Sequence, residues 1–404
     1  MVGPVTQGRL LMSVSIKTLH EILEIAFFTP AGRTGWGFPV VLGGPGGTAK
    51  SAILADFGRR MVGSGRLYTL NCGEQGEGAA GCIPAVDQDL GVITFPRPEW
   101  CIKFADGAPG VVIVDELTQS DGELRKALLA VTLDKSIAGG FMGQGVRFFA
   151  ACNPEGQGGA DTRDLAPVQA NRVCQITWEA DMSGWRAYMR TRDIFADMNS
   201  DEPAPVDVVT IEARIRAGWG DAYQWAVGLV SDGYLRAHAE TFQRPNSDES
   251  SAAWPSGRSW DTAIRALATA RILGSSRDAQ ELCVIGLVGE AAGVGLFAYM
   301  RTLDLPDPAA VLDGSVKFTH DAMRPDRTHV VLGSVCRLAV SEPSKVRTAR
   351  AWTILAELQA SAGSDVTLLG AETLLGAKLA DSKSPDYQRV VKVLGSALRN
   401  AGVV

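Results

Sequence analysis

Residues Gly43 to Ser51 read GGPGGTAKS, placed directly after the apolar run PVVL and directly before the helical stretch SAILADFGRRM. Strand, glycine-rich turn and helix N-terminus are the context that a phosphate-binding loop requires. In such a loop the backbone N–H groups from Gly44 through Pro45, Gly46, Gly47, Thr48 and Ala49 surround an anion, apart from proline, which has no N–H. Lys50 reaches the β and γ phosphates, and the Ser51 hydroxyl ligates Mg2+. The common pattern has glycine immediately before the lysine, and here that place is taken by Ala49. Taken alone, the loop also reads as a plain turn joining strand to helix.

A second group of residues bears on that choice. Gly110 to Gln119 read GVVIVDELTQ, a β-branched apolar run that ends in Asp115 and Glu116. Ligands of open α/β sheets bind at the carboxyl ends of the strands. A carboxylate at Asp115 would hold Mg2+, and Glu116 would orient and deprotonate an attacking water. Two adjacent carboxylates also suit a solvated strand end, but with the loop upstream both halves of one Mg–triphosphate site are present. A third run, VRFFAAC, ends in Asn153–Pro154. The Asn153 amide would lie beside the acidic pair if the strands are neighbours, although Asn-Pro is by itself also a turn initiator.

The elements that must hold these residues follow from hydrophobic patterning. Ile16, Leu19, Leu23 and Ala26 recur at helical spacing after Ser15, which can cap that helix. Short apolar runs at Pro39–Leu42, Arg66–Cys72, Gly110–Val114, Val146–Cys152 and Val173–Trp178 are apolar throughout and separated by helices or longer connections. That pattern predicts a parallel sheet covered on both faces, in an α/β domain of about the first 180 residues. The stretch Gly73–Trp100 reads as an insertion with one hairpin, and Ser136–Gly145 as a second hairpin. Beyond Trp178 the pattern turns helical, with breaks at Asn199–Asp207 and Gln243–Gly257 and a clear helix from Ser259 to Leu273. The organisation expected is an α/β nucleotide-binding core over 1–180, a linker and helical lid over 181–278 and a helical region over 279–404.

Composition narrows the classes. The 404 residues are 46% apolar and 21% charged, an ordinary globular balance that excludes disordered and collagen-like chains. Lys plus Arg number 39 against 45 Asp plus Glu, a net charge of −6 and the wrong sign for a protein whose main partner is a nucleic-acid backbone. Seven cysteines without a CxxC pair read as reduced core thiols of a cytoplasmic protein rather than a zinc site. The longest apolar stretch, Cys283–Met300, carries Glu290 in its middle and reads as a buried or oligomer-facing helix pair, not a membrane span. Trp100, Trp178, Trp185, Trp254 and Trp260 are expected in core and interface packing. The 45 glycines are an excess, concentrated partly in Gly43–Gly47, Gly73–Gly91 and Gly139–Gly145.

Together, GPGGTAKS, VIVDEL, ACNP and DLAPVQANRV resemble the MoxR branch of the AAA+ ATPases, related to the dynein and Mg-chelatase groups, whose phosphate loop has the form GPPGxAKS. The resemblance spans about Ile16 to Trp178 and makes Ala49 a match. It departs at Val173, where the family has an aromatic residue. It implies ATP and Mg2+ as cofactors, a P-loop AAA+ core with a five-stranded parallel sheet between helices, a helical lid and a ring oligomer, typically a hexamer. Carried over by position, Asn153 is similar to the sensor-1 residue and Arg172 to the arginine finger that reaches a neighbouring subunit's γ-phosphate, with Arg163 a rival for that role. WPSGRSWDTAIRAL resembles the lid motif in which Arg258 is the sensor-2 residue. The family works as chaperone-like remodellers of protein clients, commonly with a von Willebrand factor A-domain partner. Two other functions stay open: a nucleic-acid motor and an ATP-bound scaffold with little turnover. Against the motor, the hairpin SIAGGFMGQG has no Lys or Arg for phosphate contacts, and Phe141 and Met142 suit either a grip on polypeptide or packing.

Overall fold

The computed structural model describes residues 14–32, 35–72, 84–89, 91–119, 134–137, 140–153, 165–180, 182–191, 206–243, 252–303, 305–322 and 324–400. The core strands are β1 (Val40–Gly43), β2 (Leu67–Asn71), β3 (Gly110–Asp115), β4 (Val146–Cys152) and β5 (Cys174–Thr177). The helices in chain order are α1 (Ile16–Phe28), α2 (Lys50–Val62), α3 (Glu99–Lys103), α4 (Pro167–Ala170), α5 (Met182–Thr191) and α6 (Val208–Val227). They continue with α7 (Gly257–Leu273), α8 (Arg277–Val288), α9 (Glu290–Thr302), α10 (Pro308–Asp313), α11 (Pro325–Ser341), α12 (Lys345–Ala362), α13 (Ser364–Gly376) and α14 (Pro385–Asn400). Two compact units result. One holds Met1–Glu212, Pro245–Trp254 and Ser275–Glu290, the other Ala213–Arg244, Pro255–Gly274 and Ala291–Val404.

The first unit is an α/β fold built on a five-stranded sheet in the order β2-β3-β4-β1-β5, every pair parallel. The inner strands β1, β3 and β4 are buried at successive positions because both their faces are covered, whereas the edge strands depart from the expected continuous apolar run: β2 (LYTLN) buries only Leu70 fully and β5 (CQIT) buries alternate residues. Val112, Val114, Phe148 and Ala150 join one cluster with Trp100, Cys101 and Phe104 of the α3 region. On the other face Phe149 meets Phe57 of α2 edge-on at 5.5 Å, and Phe57 meets Phe27 of α1 at 6.1 Å. Helix α1 starts where Ser15 accepts from Thr18 N at 3.1 Å, as its position at the head of the apolar spacing predicts. Helix α8 lies against β5, where a Cβ on Gly286 would come within 2.7 Å of the Gln175 carbonyl.

Both predicted hairpins form. Ala85–Asp87 pairs antiparallel with Val92–Thr94, and Ser136–Ile137 with Gly140–Phe141. In the second hairpin Phe141 is 46% exposed, whereas Met142 is packed at 1%. Most of both predicted breaks, Asn199–Asp207 and Gln243–Gly257, lies outside the described residues.

At the amino ends of the strands an ionic cluster is buried. Arg147 of β4, 1% exposed, donates to the carbonyls of Phe27 (3.2 Å) and Gly145 (2.5 Å) and to Glu212 Oε1 (2.5 Å), with its guanidinium stacked over the Phe27 ring. Lys135 donates beside it to the Trp36 carbonyl. Burial, reinforced by the Arg147 charge, pulls the Lys135 pKa down to about 7.

The second unit is helical. Trp352, Leu355, Leu374, Leu394 and Val335 form its core, and the Trp352 indole donates to the Leu379 carbonyl at 2.9 Å. After α6 the chain widens into a π-helical segment, Gly228–Leu235, in which Asp232 accepts from Arg337 Nη1 at 2.5 Å. The Cys283–Met300 stretch is a helix pair, as expected: α8 ends at Gly289, whose φ of +87° is available to glycine, and α9 begins at Glu290, which is exposed. No helix among the described residues is long and apolar enough to cross a membrane. The six cysteines within the described residues are free thiols. Trp100, Trp178 and Trp260 are buried, and Trp254 is half-buried. Trp185 is 58% exposed on α5, outside the core of this chain.

Candidate active site

Strand β1 delivers the chain to the cleft through Gly43 and Gly44. A Cβ on Gly44 would lie 2.1 Å from the Trp178 carbonyl oxygen, so this position accepts no side chain. Gly47 takes φ +76° and Ala49 φ +66°, both left-handed. Ala49 is the N-cap residue of α2 and provides no side-chain cap, which leaves the first N–H groups of that helix without a side-chain acceptor. A left-handed residue before the lysine explains why glycine is the common choice there. Alanine is accommodated at a cost of about 1 kcal/mol.

Lys50 opens α2 and is 7% exposed. Its ammonium donates to the carbonyls of Gly44 (2.8 Å) and Pro45 (2.7 Å) and to Asn153 Oδ1 (3.0 Å). Burial pushes its pKa below the usual lysine value, opposed by the neighbouring Cys152 and Asp115. All three acceptors are oxygens, and the donor stands at the head of a helix, where phosphate oxygens would meet it. The Thr48 hydroxyl closes the loop on itself, donating to the Pro45 carbonyl at 2.8 Å.

The acidic pair sits across the cleft at the end of β3. Ser51 Oγ donates to Asp115 Oδ1 at 2.8 Å, and the same carboxylate oxygen accepts from Glu116 N at 2.9 Å. Glu116 takes φ +56°, a left-handed conformation uncommon for a residue with a long side chain. The chain turns out of the strand there, and Leu117 is buried immediately afterwards. Asn153 follows β4, which lies between β1 and β3 in the sheet, and its carbonyl accepts from Thr118 at 3.2 Å.

These side chains line one cleft of about 350 Å3, bounded by Gly46 to Ala52, Asp115, Glu116 and Ala151 to Asn153. A serine hydroxyl and one carboxylate offer hard oxygen donors, the sparse protein contribution with which Mg2+ is held when phosphates and water complete its shell. Among the described residues no group of three or more His, Cys, Asp or Glu side chains forms a metal cage of protein ligands alone.

Arg172 belongs to the first unit but is not part of the cleft lining. Its turn is braced: Arg172 N donates to the Gln169 carbonyl at 3.0 Å, Asn171 Nδ2 to the Trp254 carbonyl at 2.6 Å, and Trp254 Nε1 to the Pro167 carbonyl at 2.9 Å. Its buried Nε has no hydrogen-bond partner among the described residues. Arg258 is exposed at the second position of α7, in the second unit, just inside a cap in which Ser256 accepts from Ser259 N at 3.2 Å. Arg163 lies outside the described residues. One participant had no motif to mark it: Trp178, after β5, whose indole N–H donates to the Thr48 carbonyl at 2.8 Å.

No known family profile matches the chain, and no curated protein matches it. Solved structures do match. One is the crystal structure of a protein from Cytophaga hutchinsonii provisionally described as an ATPase, 14% identical, covering 73% of this chain and 92% of its own length with a TM-score of 0.47.

Proposed function

We propose that this chain is a Mg2+-dependent ATPase of MoxR-like AAA+ type, which completes its sites between subunits of a homo-oligomeric ring, typically hexameric, and remodels a protein client. The observation that carries the reading is the Ser51–Asp115 hydrogen bond at 2.8 Å. It joins the residue after the loop lysine to the carboxylate at a strand end, the pair that would hold the cation of a nucleoside triphosphate. Nucleic acid is not the proposed partner. A von Willebrand factor A-domain protein is the partner class that the family resemblance suggests.

In this reading the N–H groups of the loop and α2 bind the β and γ phosphates, and Lys50 transfers its hydrogen bonds from the loop carbonyls to phosphate oxygens. Ser51 and Asp115 would hold Mg2+, which when bound neutralises charge on the phosphate oxygens. Asn153 keeps the attacking water in line. Glu116 takes the proton of that water as its oxygen bonds to the γ phosphorus and the bond to the β–γ bridging oxygen breaks, giving ADP and phosphate. Arg172 serves a neighbouring subunit's γ-phosphate, since a guanidinium is a permanent charge with a fixed fork of donors. Arg258 is the proposed sensor that couples nucleotide state to the second unit.

Nucleotide binding and turnover by the full chain, with native mass measured in the same buffer, test the reading. Mg2+-dependent turnover by an oligomer is expected. A chain that binds neither ATP nor ADP in the presence of Mg2+ overturns it.

A further inference from the structure

Trp178 meets the phosphate loop in three ways. Its backbone N–H donates to the Gly43 carbonyl at 2.7 Å, so the residue is tied to the end of β1. Its carbonyl occupies the space that a Cβ on Gly44 would need, 2.1 Å away. Its indole N–H donates to the Thr48 carbonyl at 2.8 Å, and the side chain is buried, 5% exposed. The loop is thus held at its entry, at its first glycine and at the peptide before Ala49.

The last contact has a geometric consequence. A trans peptide is planar, with C=O and N–H pointing in opposite directions. Holding the Thr48 carbonyl toward Trp178 therefore turns the Ala49 N–H away from it. Thr48 and Ala49 both line the cleft, and Trp178 is not among the lining residues. Inverting this peptide takes a rotation of about 180° about ψ of Thr48 and φ of Ala49, and Ala49, held left-handed at φ +66°, is the residue at which that rotation acts. An inverted peptide would present a carbonyl where an anion needs a donor.

We propose that Trp178 is a positioning residue for nucleotide binding: its indole N–H fixes the Thr48–Ala49 peptide so that the loop offers its N–H groups to the phosphates. This rests on the nucleotide reading above and adds to it a residue outside the motif. The contribution falls on binding, because the peptide faces bound phosphate before and after the chemical step.

The test is Trp178→Phe in the full chain, with Trp185→Phe as a control at an exposed indole. Dissociation constants for a fluorescent ADP with Mg2+, and KM and kcat for ATP, are measured at a temperature where thermal melts show both variants folded. W178F is expected to weaken ADP and raise KM about three- to tenfold, the scale of one lost hydrogen bond, with kcat within about twofold of wild type. W185F is expected to match wild type. Wild type that binds ADP with W178F unchanged overturns the role of Trp178 alone, whereas wild type that binds no nucleotide overturns both readings. A W178F loss confined to kcat also overturns the positioning role. If W178F does not fold, the indole N–H resonances of the wild type decide: one of them shifts on addition of ADP with Mg2+, and no shift contradicts the proposal.

Discussion

Ser51 donates to Asp115 across 64 residues of sequence, at 2.8 Å. Neither side chain is adjacent to the other in any local element. The sheet order brings them together, because β4 alone separates the strand that leads into the loop from the strand that ends in the acidic pair. Asp115→Asn is expected to keep the fold, since an amide oxygen can still accept from Ser51, while Mg2+-dependent turnover falls at least 100-fold. Affinity for ADP measured in EDTA is expected to change less than threefold. An Asp115→Asn protein with normal turnover would remove the metal role.

Ala49 gives a conformational test. With φ at +66° the position tolerates alanine and rejects branching at Cβ. Ala49→Gly is expected to bind nucleotide within about twofold of wild type, with stability changed by less than about 1 kcal/mol, because relief of the left-handed strain is offset by added freedom of the unfolded chain. Ala49→Val should lose nucleotide binding and melt several degrees lower. Calorimetry on the two variants checks both statements.

The buried Arg147–Glu212 pair predicts a non-additive stability pattern. Glu212→Leu leaves the guanidinium without its carboxylate and is expected to cost about 3–5 kcal/mol in urea unfolding. Arg147→Met alone should cost a similar amount. The double variant should cost less than the sum, since it removes both charges, and simple additivity would contradict the buried pairing.

His20 supplies a pH signature. It is 8% exposed, and burial followed by the Arg60 charge lowers its pKa to about 4 from an ordinary 6.5. Between those values the unfolded chain binds a proton that the folded chain does not. The folded state is therefore destabilised as pH falls from 6.5 toward 4, and this group's contribution is fully present above 6.5. The span corresponds to at most about 3 kcal/mol. In His20→Gln the part of the pH slope between 4 and 6.5 that belongs to this residue should disappear, as read from urea midpoints at several pH values.

What the sequence shows and hides follows from the range of each interaction. The inner strands β1, β3 and β4 are legible because each is a nearly continuous apolar run, the form taken by strands covered on both faces, while the edge strands β2 and β5 carry Thr, Asn and Gln and are marked less clearly. Helix α1 is legible because Ser15 stands at the head of its apolar spacing. The residues that meet in the cleft are legible because each stands in a short local pattern, GGPGGTAKS and DE, of the kind the proposed phosphate and Mg2+ chemistry would require. Trp178 is not, because its bond to Thr48 joins residues 130 apart and a tryptophan at a strand end has packing as its default reading. The Arg147–Glu212 pair is hidden for the same reason, and nothing local distinguishes Arg147 from a solvated strand residue. For Trp185, residue type does not distinguish core from interface packing, and α5 leaves it exposed in this chain.

The central claim is that a site built on Lys50, Ser51, Asp115 and Glu116 hydrolyses ATP and is completed by Arg172 of another subunit. It is tested most directly by ATP turnover of wild type, Glu116→Gln and Arg172→Ala, with native mass recorded in parallel. Wild type is expected to turn over as an oligomer. Glu116→Gln should bind ATP with near-normal affinity and turn over at least 100-fold more slowly. Arg172→Ala should also lose turnover, and mixing it with Glu116→Gln should restore part of the activity, because mixed neighbours regenerate some complete sites. Wild-type turnover by a monomer, with Arg172→Ala equally active, would contradict the claim.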